Sequence, residues 1–122
     1  MDFSLDNGQT RHRLQRYANG ALYVDQTEYK TPIVIAPQAL LAPWGPTSLK
    51  ELSVDDIHSL LSLEPQIVLI GTGKMLHYLE PERLTPLIEA QIGFEIMTTQ
   101  AACRTYTVLM AEGRQVVACL FP

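Results

Sequence analysis

Cysteine is scarce in this sequence, and no apolar run approaches the length of a membrane span. The two cysteines, Cys103 and Cys119, are too few for the disulfide framework of a small secreted protein, so we expect reduced thiols and a cytoplasmic protein. A membrane span needs ~18 consecutive apolar residues, and the first four residues include an acidic and a polar residue without the apolar core of a signal peptide. The sequence therefore predicts a soluble protein without membrane insertion.

Positive charge is also scarce. The chain has 9 Lys and Arg residues against 13 Asp and Glu, which gives a formal net charge of −4. Only Arg11, Arg13 and Arg16 form a basic cluster, and such a cluster is more typical of a solvated arm than of an anion site. Because nucleic-acid binding requires clustered cations, we expect no nucleic-acid partner.

Complete sets of catalytic or metal-binding residues are missing. The histidines His12, His58 and His77 have no metal-ligand spacing with either cysteine, so we expect no metal and no cofactor. Cys103 precedes Arg104, which would favour a thiolate, but no spacing ties a histidine to it as a base. A buried, unreactive thiol is the favoured interpretation. The sequence predicts no catalytic residue, and a non-enzymatic protein is the favoured interpretation.

The most informative stretch is residues 66–73. It is an apolar, β-branched run followed by Gly71, Thr72 and Gly73, the pattern of a strand buried on both faces with a sharp exit at its carboxyl end. In layered α/β domains, ligands bind beyond the carboxyl ends of such strands. The glycines do not complete a nucleotide motif, because Met75 replaces the Ser or Thr of a phosphate loop and Leu76 replaces the third dinucleotide glycine. A tight turn beside a neighbouring strand is the simpler interpretation.

The N-terminal third predicts β structure. Residues 1–12 are polar and expected to be flexible, and residues 13–122 are expected to form a single domain. The Asn19-Gly20 pair predicts a type I′ hairpin between two short strands, and residues 33–36 predict another strand.

Helices and strands alternate in the second half of the chain. We expect one helix capped by Ser53, a second that begins either at Pro81 or at Pro86 with Thr85 as its cap, and a third capped by Thr98 and Thr99. This alternation predicts an α/β fold with a mixed, mostly parallel sheet flanked by helices.

Two regions are candidate binding sites. The first is a polar pocket at the carboxyl edge of the sheet, where a helix N-terminus attracts anions. Its predicted residues are Gly71, Thr72, Gly73, Thr98, Thr99, Arg104 and Tyr106. The alternative is that the threonines only cap the helix while the arginine pairs at the surface. The second region is a loop with Pro43, Trp44 and Pro46, which either packs on the core or forms an interaction surface.

Several motifs, taken in their order along the chain, resemble those of one family. Gly71-Thr72-Gly73, together with residues 92–99, 101–106 and 112–116, resembles the Mth938-like family, also called the domain of unknown function 498 family. The resemblance extends from about residue 20 to the end of the chain. It implies a single three-layer α/β domain with a mixed sheet and a β-rich N-terminal region.

The resemblance also guides the functional hypotheses. It implies no catalytic residues, and members include a mitochondrial assembly factor of respiratory complex I and an animal protein linked to adipocyte differentiation. Gln100 and Thr107 stand where the family often has Gly and Asn. The leading hypothesis is a non-enzymatic interaction or assembly protein with a protein partner, related to complex I. The alternatives are a small anionic ligand-binding protein or minor enzyme using the pocket, and a homodimer formed through the Trp44 loop.

Overall fold

The computed structural model describes residues 12–122. Its strands are β1 (Leu14–Ala18), β2 (Ala21–Val24), β3 (Thr27–Tyr29), β4 (Ile33–Ala36), β5 (Ala39–Leu41), β6 (Ile67–Gly71), β7 (Gly93–Met97) and β8 (Val116–Leu120). Its α-helices are α1 (Val54–Ser59), α2 (Thr85–Glu89) and α3 (Thr99–Ala111), and short 3₁₀ helices cover Leu49–Glu51, Leu60–Leu63 and Pro81–Leu84. The predicted flexible segment 1–12 lies outside the described residues except for His12, whose N–H donates to the Pro37 carbonyl at 3.0 Å.

The strands form two sheets. Strands β1, β2 and β3 make an antiparallel sheet, and the predicted Asn19-Gly20 turn has the positive φ angles of a type I′ hairpin, 54° and 72°. The second sheet has the order β5-β4-β8-β6-β7. Strand β6 is parallel to both β7 and β8, whereas β4 is antiparallel to β5 and β8. The predicted mixed α/β fold is confirmed, with two of the four strand pairs parallel rather than most of them.

The central sheet separates two cores. Successive side chains of a strand point to opposite faces, so Val68 and Ile70 pack in the cluster with α1 and α2, while Leu69 packs in the cluster with α3 and strands β1 and β2. All three side chains are 0% exposed. The arrangement is three-layered, as the family resemblance implied, and β6 is an interior strand of the middle layer.

The helix starts follow from their cap residues. Ser53 accepts from the Asp56 N–H at 3.1 Å, and the Asp56 carboxylate accepts from the Ser53 N–H at 2.9 Å, which completes a capping box. A 3₁₀ helix begins at Pro81, as one alternative predicted, and α2 begins at Thr85, one residue before the other predicted start at Pro86. Pro86 is tolerated there because the first N–H groups of a helix have no intrahelical acceptor.

Candidate functional site

The carboxyl end of β6 meets the first turn of α3 at very close range. A Cβ atom on Gly71 would lie 2.9 Å from both Cα and Oγ1 of Thr99, and 3.0 Å from Cδ2 of Leu120. Because a backbone atom is among these neighbours, the space cannot be opened by rotating a side chain. Glycine at position 71 therefore lets the helix approach the strand.

The polar groups at this junction bind one another. Thr99 is fully buried, and its hydroxyl accepts from the Gly73 N–H at 2.8 Å and donates to the Phe121 carbonyl at 2.5 Å. Its own N–H donates to the Gly73 carbonyl at 2.9 Å. The Thr98 hydroxyl caps α3 by accepting from the Ala101 N–H at 3.3 Å. These hydrogen bonds join the turn after β6, the first turn of α3 and the residue that follows β8.

The structure brings together five of the seven predicted pocket residues and places the other two elsewhere. Gly71, Thr72, Gly73, Thr98 and Thr99 meet at this edge of the sheet. Tyr106 is fully buried in the core beneath α3. Arg104 is exposed and lines a groove of about 480 Å³ between α3 and β1.

Thr72 organises the loop that follows the glycine turn. This threonine is 5% exposed, and its hydroxyl donates to the Met75 carbonyl at 2.7 Å and accepts from the His77 N–H at 3.2 Å. Its N–H donates to the Met97 carbonyl at 2.9 Å, which ties the loop to the end of β7. Residues 74–78, hereafter the Met75 loop, are thus held in one conformation.

The Met75 loop exposes large apolar side chains. Met75, Leu76 and Tyr78 are 67%, 64% and 79% exposed, whereas Leu79 at the end of the loop is 3% exposed and anchored in the core. Contiguous exposed apolar groups of this kind mark interaction sites. Sequence reasoning missed this surface, and the only signal for it was the glycine turn that precedes it.

Two clefts lie beside the Met75 loop, and His77 lines both of them. One, of about 560 Å³, lies between Tyr78 and the 3₁₀ helix Leu49–Glu51, and Lys50 lines it. The other, of about 400 Å³, extends from Thr72 to Lys30. Two wall residues of the larger cleft bind each other, because Nη1 of Arg83 donates to the Leu49 carbonyl at 3.2 Å.

Trp44 contributes to the core. The residue is 8% exposed and belongs to the cluster around α1 and α2, and its backbone N–H donates to the Pro32 carbonyl at 2.8 Å. Pro43 is exposed and Pro46 is half-buried. The packing interpretation thus describes Trp44, and of the three residues proposed for an interaction surface only Pro43 is freely accessible.

Both cysteines are free and buried, as predicted. Burial raises the pKa of Cys103 to about 12, although the neighbouring Arg104 charge acts in the opposite direction. Burial also raises the pKa of Cys119. Residues 12–122 contain no group of three His, Cys, Asp or Glu side chains arranged to hold a metal. None of the helices in this part of the chain is long and apolar enough to cross a membrane.

The thiols are expected to be inert in the folded protein. A pKa near 12 in place of 9 lowers the thiolate fraction of Cys103 at pH 8 by about 1,000-fold. We expect both thiols to react with Ellman's reagent at least ~100-fold more slowly in the native protein than in urea. One equivalent reacting at the rate of a free thiol would contradict this account.

Removing the Thr72 hydroxyl is expected to loosen the Met75 loop. Thr72→Val leaves the Met75 carbonyl and the His77 N–H without their partner, which costs about 1 kcal/mol. Hydrogen exchange of the His77 N–H, which donates to this hydroxyl, should become about fivefold faster. Thr107→Val is the control, because that hydroxyl donates only to the Cys103 carbonyl within α3 and the residue is exposed. Equal exchange in the two variants would mean that Thr72 does not hold the loop.

Comparisons with known proteins agree with this fold. The chain is 36% identical to a crystallised protein from Bordetella parapertussis, with a TM-score of 0.87 over 93% of this chain and 98% of that one. It is 29% identical to a Bordetella pertussis protein described as a Mth938-like domain, with a TM-score of 0.80 over 100% of this chain and 92% of that one.

A curated human protein is similar as well. The chain is 32% identical over 120 residues to human NADH dehydrogenase [ubiquinone] 1 alpha subcomplex assembly factor 3, and the match covers 89% of this chain. The chain spans 65% of that protein's length. The model of the family described as protein of unknown function (DUF498/DUF598) matches residues 14–121. The chain therefore belongs to the DUF498/DUF598 family, as the resemblance in its sequence predicted.

Proposed function

We propose that this chain is a non-enzymatic interaction protein that assists the assembly of a respiratory enzyme related to complex I. The observation that carries the proposal is the Met75 loop, which presents three exposed apolar side chains on a conformation fixed by Thr72. Covering large exposed apolar side chains with a partner is favourable, and exposed apolar patches mark interaction sites. The similar human protein is named as an assembly factor of NADH dehydrogenase, and this supports the proposed process.

A cytoplasmic location is part of the proposal. Both free thiols are buried in the core, which suits a reducing compartment. The partner would then meet the chain on the cytoplasmic side, before or during assembly of the enzyme.

The ligand-binding alternative has less support at the Gly71 edge. The Thr98 and Thr99 hydroxyls and the Gly73 N–H, which a small anion would need, already bind groups of the chain itself. Arg104, the cation proposed for that pocket, lines a different groove. A ligand would have to displace several internal hydrogen bonds.

Affinity purification from gently lysed source cells tests the proposal. The tagged chain is compared with an untagged control by quantitative mass spectrometry. We expect enrichment of subunits or assembly proteins of a respiratory NADH dehydrogenase. Recovery of the bait alone, or of a second copy of the chain alone, would contradict the proposal, and the second result would favour the homodimer.

A further inference from the structure

We propose that the Met75 loop and its two clefts bind an acidic, apolar segment of a protein partner. This inference rests on the proposed function and specifies the chemistry of the partner. Three features of the surface support it: the distribution of lysine, the position of the apolar side chains, and the concave shape of the clefts.

Lysine is concentrated on this surface. The chain has three lysines, Lys30, Lys50 and Lys74. Lys30 and Lys50 line the two clefts that share His77, and Lys74 is exposed at the start of the Met75 loop. The whole chain carries a formal charge of −4, so this surface has the opposite sign to the protein as a whole. Opposite charge on a partner would steer it to this surface.

The remaining charges around the clefts largely cancel. Nε of Arg83 lies 3.2 Å from Oε1 of Glu80, and the two form an ion pair within the larger cleft. Among the residues that the structure describes, the cleft-wall cations left without an acidic partner are therefore Lys30 and Lys50. They line the two neighbouring clefts that share His77, where each can bind a carboxylate of the same segment.

The apolar side chains are positioned to be covered together with the lysines. Tyr78 forms one wall of the larger cleft, and Met75 and Leu76 precede it in the same exposed loop. A segment that places apolar side chains against Leu76 and Tyr78 brings its flanking residues over the clefts. Carboxylates at those flanking positions would reach Lys50 in the larger cleft and Lys30 in the smaller one.

The shape of the surface favours a protein over a lipid membrane. The two clefts are concave, with volumes of about 560 and 400 Å³. Side chains that project from a protein partner can enter such clefts, whereas a flat lipid surface cannot. Their walls include the hydroxyl-bearing residues Thr47 and Ser48, which suit hydrogen bonds to a peptide.

Zero-length cross-linking gives a direct test. A carbodiimide joins a lysine amine to a carboxylate in contact with it, so every lysine cross-link from this chain reports on this surface. Applied to the captured complex, it should join Lys30, Lys50 or Lys74 to Asp or Glu residues of a partner, within a segment that also contains large apolar side chains. Cross-links made only by carboxylates of this chain to lysines of the partner would overturn the inference.

Charge reversal provides the second arm. Lys50→Glu combined with Lys74→Glu should reduce partner recovery at least ~10-fold, whereas Arg114→Glu with all three lysines intact should leave it within about twofold. Recovery should also fall between 150 and 500 mM salt for the unaltered chain. A partner that is captured equally by all three proteins overturns the inference but not the proposed function. Failure to capture any partner overturns both.

Vesicles test the competing occupant. The purified chain is mixed with phosphatidylcholine vesicles containing roughly one third phosphatidylglycerol and separated by flotation. We expect no flotation at 150 mM salt. Flotation that is lost in the Lys50→Glu, Lys74→Glu variant would assign this surface to a membrane and overturn the inference.

Discussion

Replacing Gly71 by alanine is expected to destabilise the protein by about 3 kcal/mol. The added methyl group would lie 2.9 Å from Cα and Oγ1 of Thr99, and the first turn of α3 would have to move away from β6. That movement would lengthen the hydrogen bonds that the buried Thr99 hydroxyl makes with Gly73 and Phe121. Overpacking and the loss of buried hydrogen bonds therefore act together.

Urea unfolding followed by circular dichroism measures this effect. Gly93→Ala is the matched control, because Gly93 is also in a strand but is exposed, and a methyl group added to it would have nothing within 4 Å. We expect the control to change the free energy of unfolding by less than about 0.5 kcal/mol. Equal stability of the two variants would contradict the close approach of α3 to β6. One cooperative transition is also expected, since we propose that residues 13–122 form a single domain.

Removing the apolar side chains of the Met75 loop is expected to reduce partner binding at least ~10-fold. Leu76 and Tyr78 are mostly exposed, so Leu76→Ser with Tyr78→Ser should change the free energy of unfolding by less than about 0.5 kcal/mol. A leucine that becomes buried contributes about 1.5–3 kcal/mol. Since about 1.4 kcal/mol corresponds to a tenfold change in affinity, a partner that covers both side chains cannot tolerate their loss.

The control variants change apolar residues of similar type elsewhere. Ile88 and Val108 are 51% and 56% exposed and lie on α2 and α3. Ile88→Ser with Val108→Ser should leave partner recovery within about twofold. If these substitutions abolish recovery while the Leu76 and Tyr78 substitutions do not, the docking surface lies on the helices instead.

Local sequence patterns predicted most of the fold because they reflect local physics. The β-branched run before Gly71 became an interior strand beside the middle strand β8, since such side chains fit a sheet covered on both faces. Asn19-Gly20 supplied the two positive φ angles of a hairpin, and Ser53 supplied a helix cap. The share of antiparallel pairs was underestimated, because the pairing of β4 with β8 joins distant segments and leaves no local pattern.

The candidate pocket was predicted less well because it depended on which face of α3 each residue occupies. At 100° per residue, Tyr106 lies within about 20° of Thr99, on the buried face, whereas Arg104 lies about 140° away. The structure accordingly buries Tyr106 and exposes Arg104. The sequence contains the helical spacing of these residues. It does not show the close contact between Gly71 and Thr99, which determines which face of α3 is buried.

The Met75 loop was missed for a different reason. Met75, Leu76 and Tyr78 directly follow a buried strand, and apolar residues in such a position are usually core residues. Their exposure depends on the hydrogen bonds of Thr72, which direct the chain outward, and on Leu79, which returns it to the core. These are tertiary contacts, and no periodicity in the sequence reports them.

Photo-cross-linking in intact source cells tests the central claim most directly. A photoreactive amino acid is placed at position 76 and, in a separate protein, at position 108 on α3. The docking surface predicts covalent adducts to a partner protein from position 76 and none from position 108. Adducts from position 108 alone, or no adduct from position 76 while the partner still copurifies, would contradict the assignment of the Met75 loop as the docking surface.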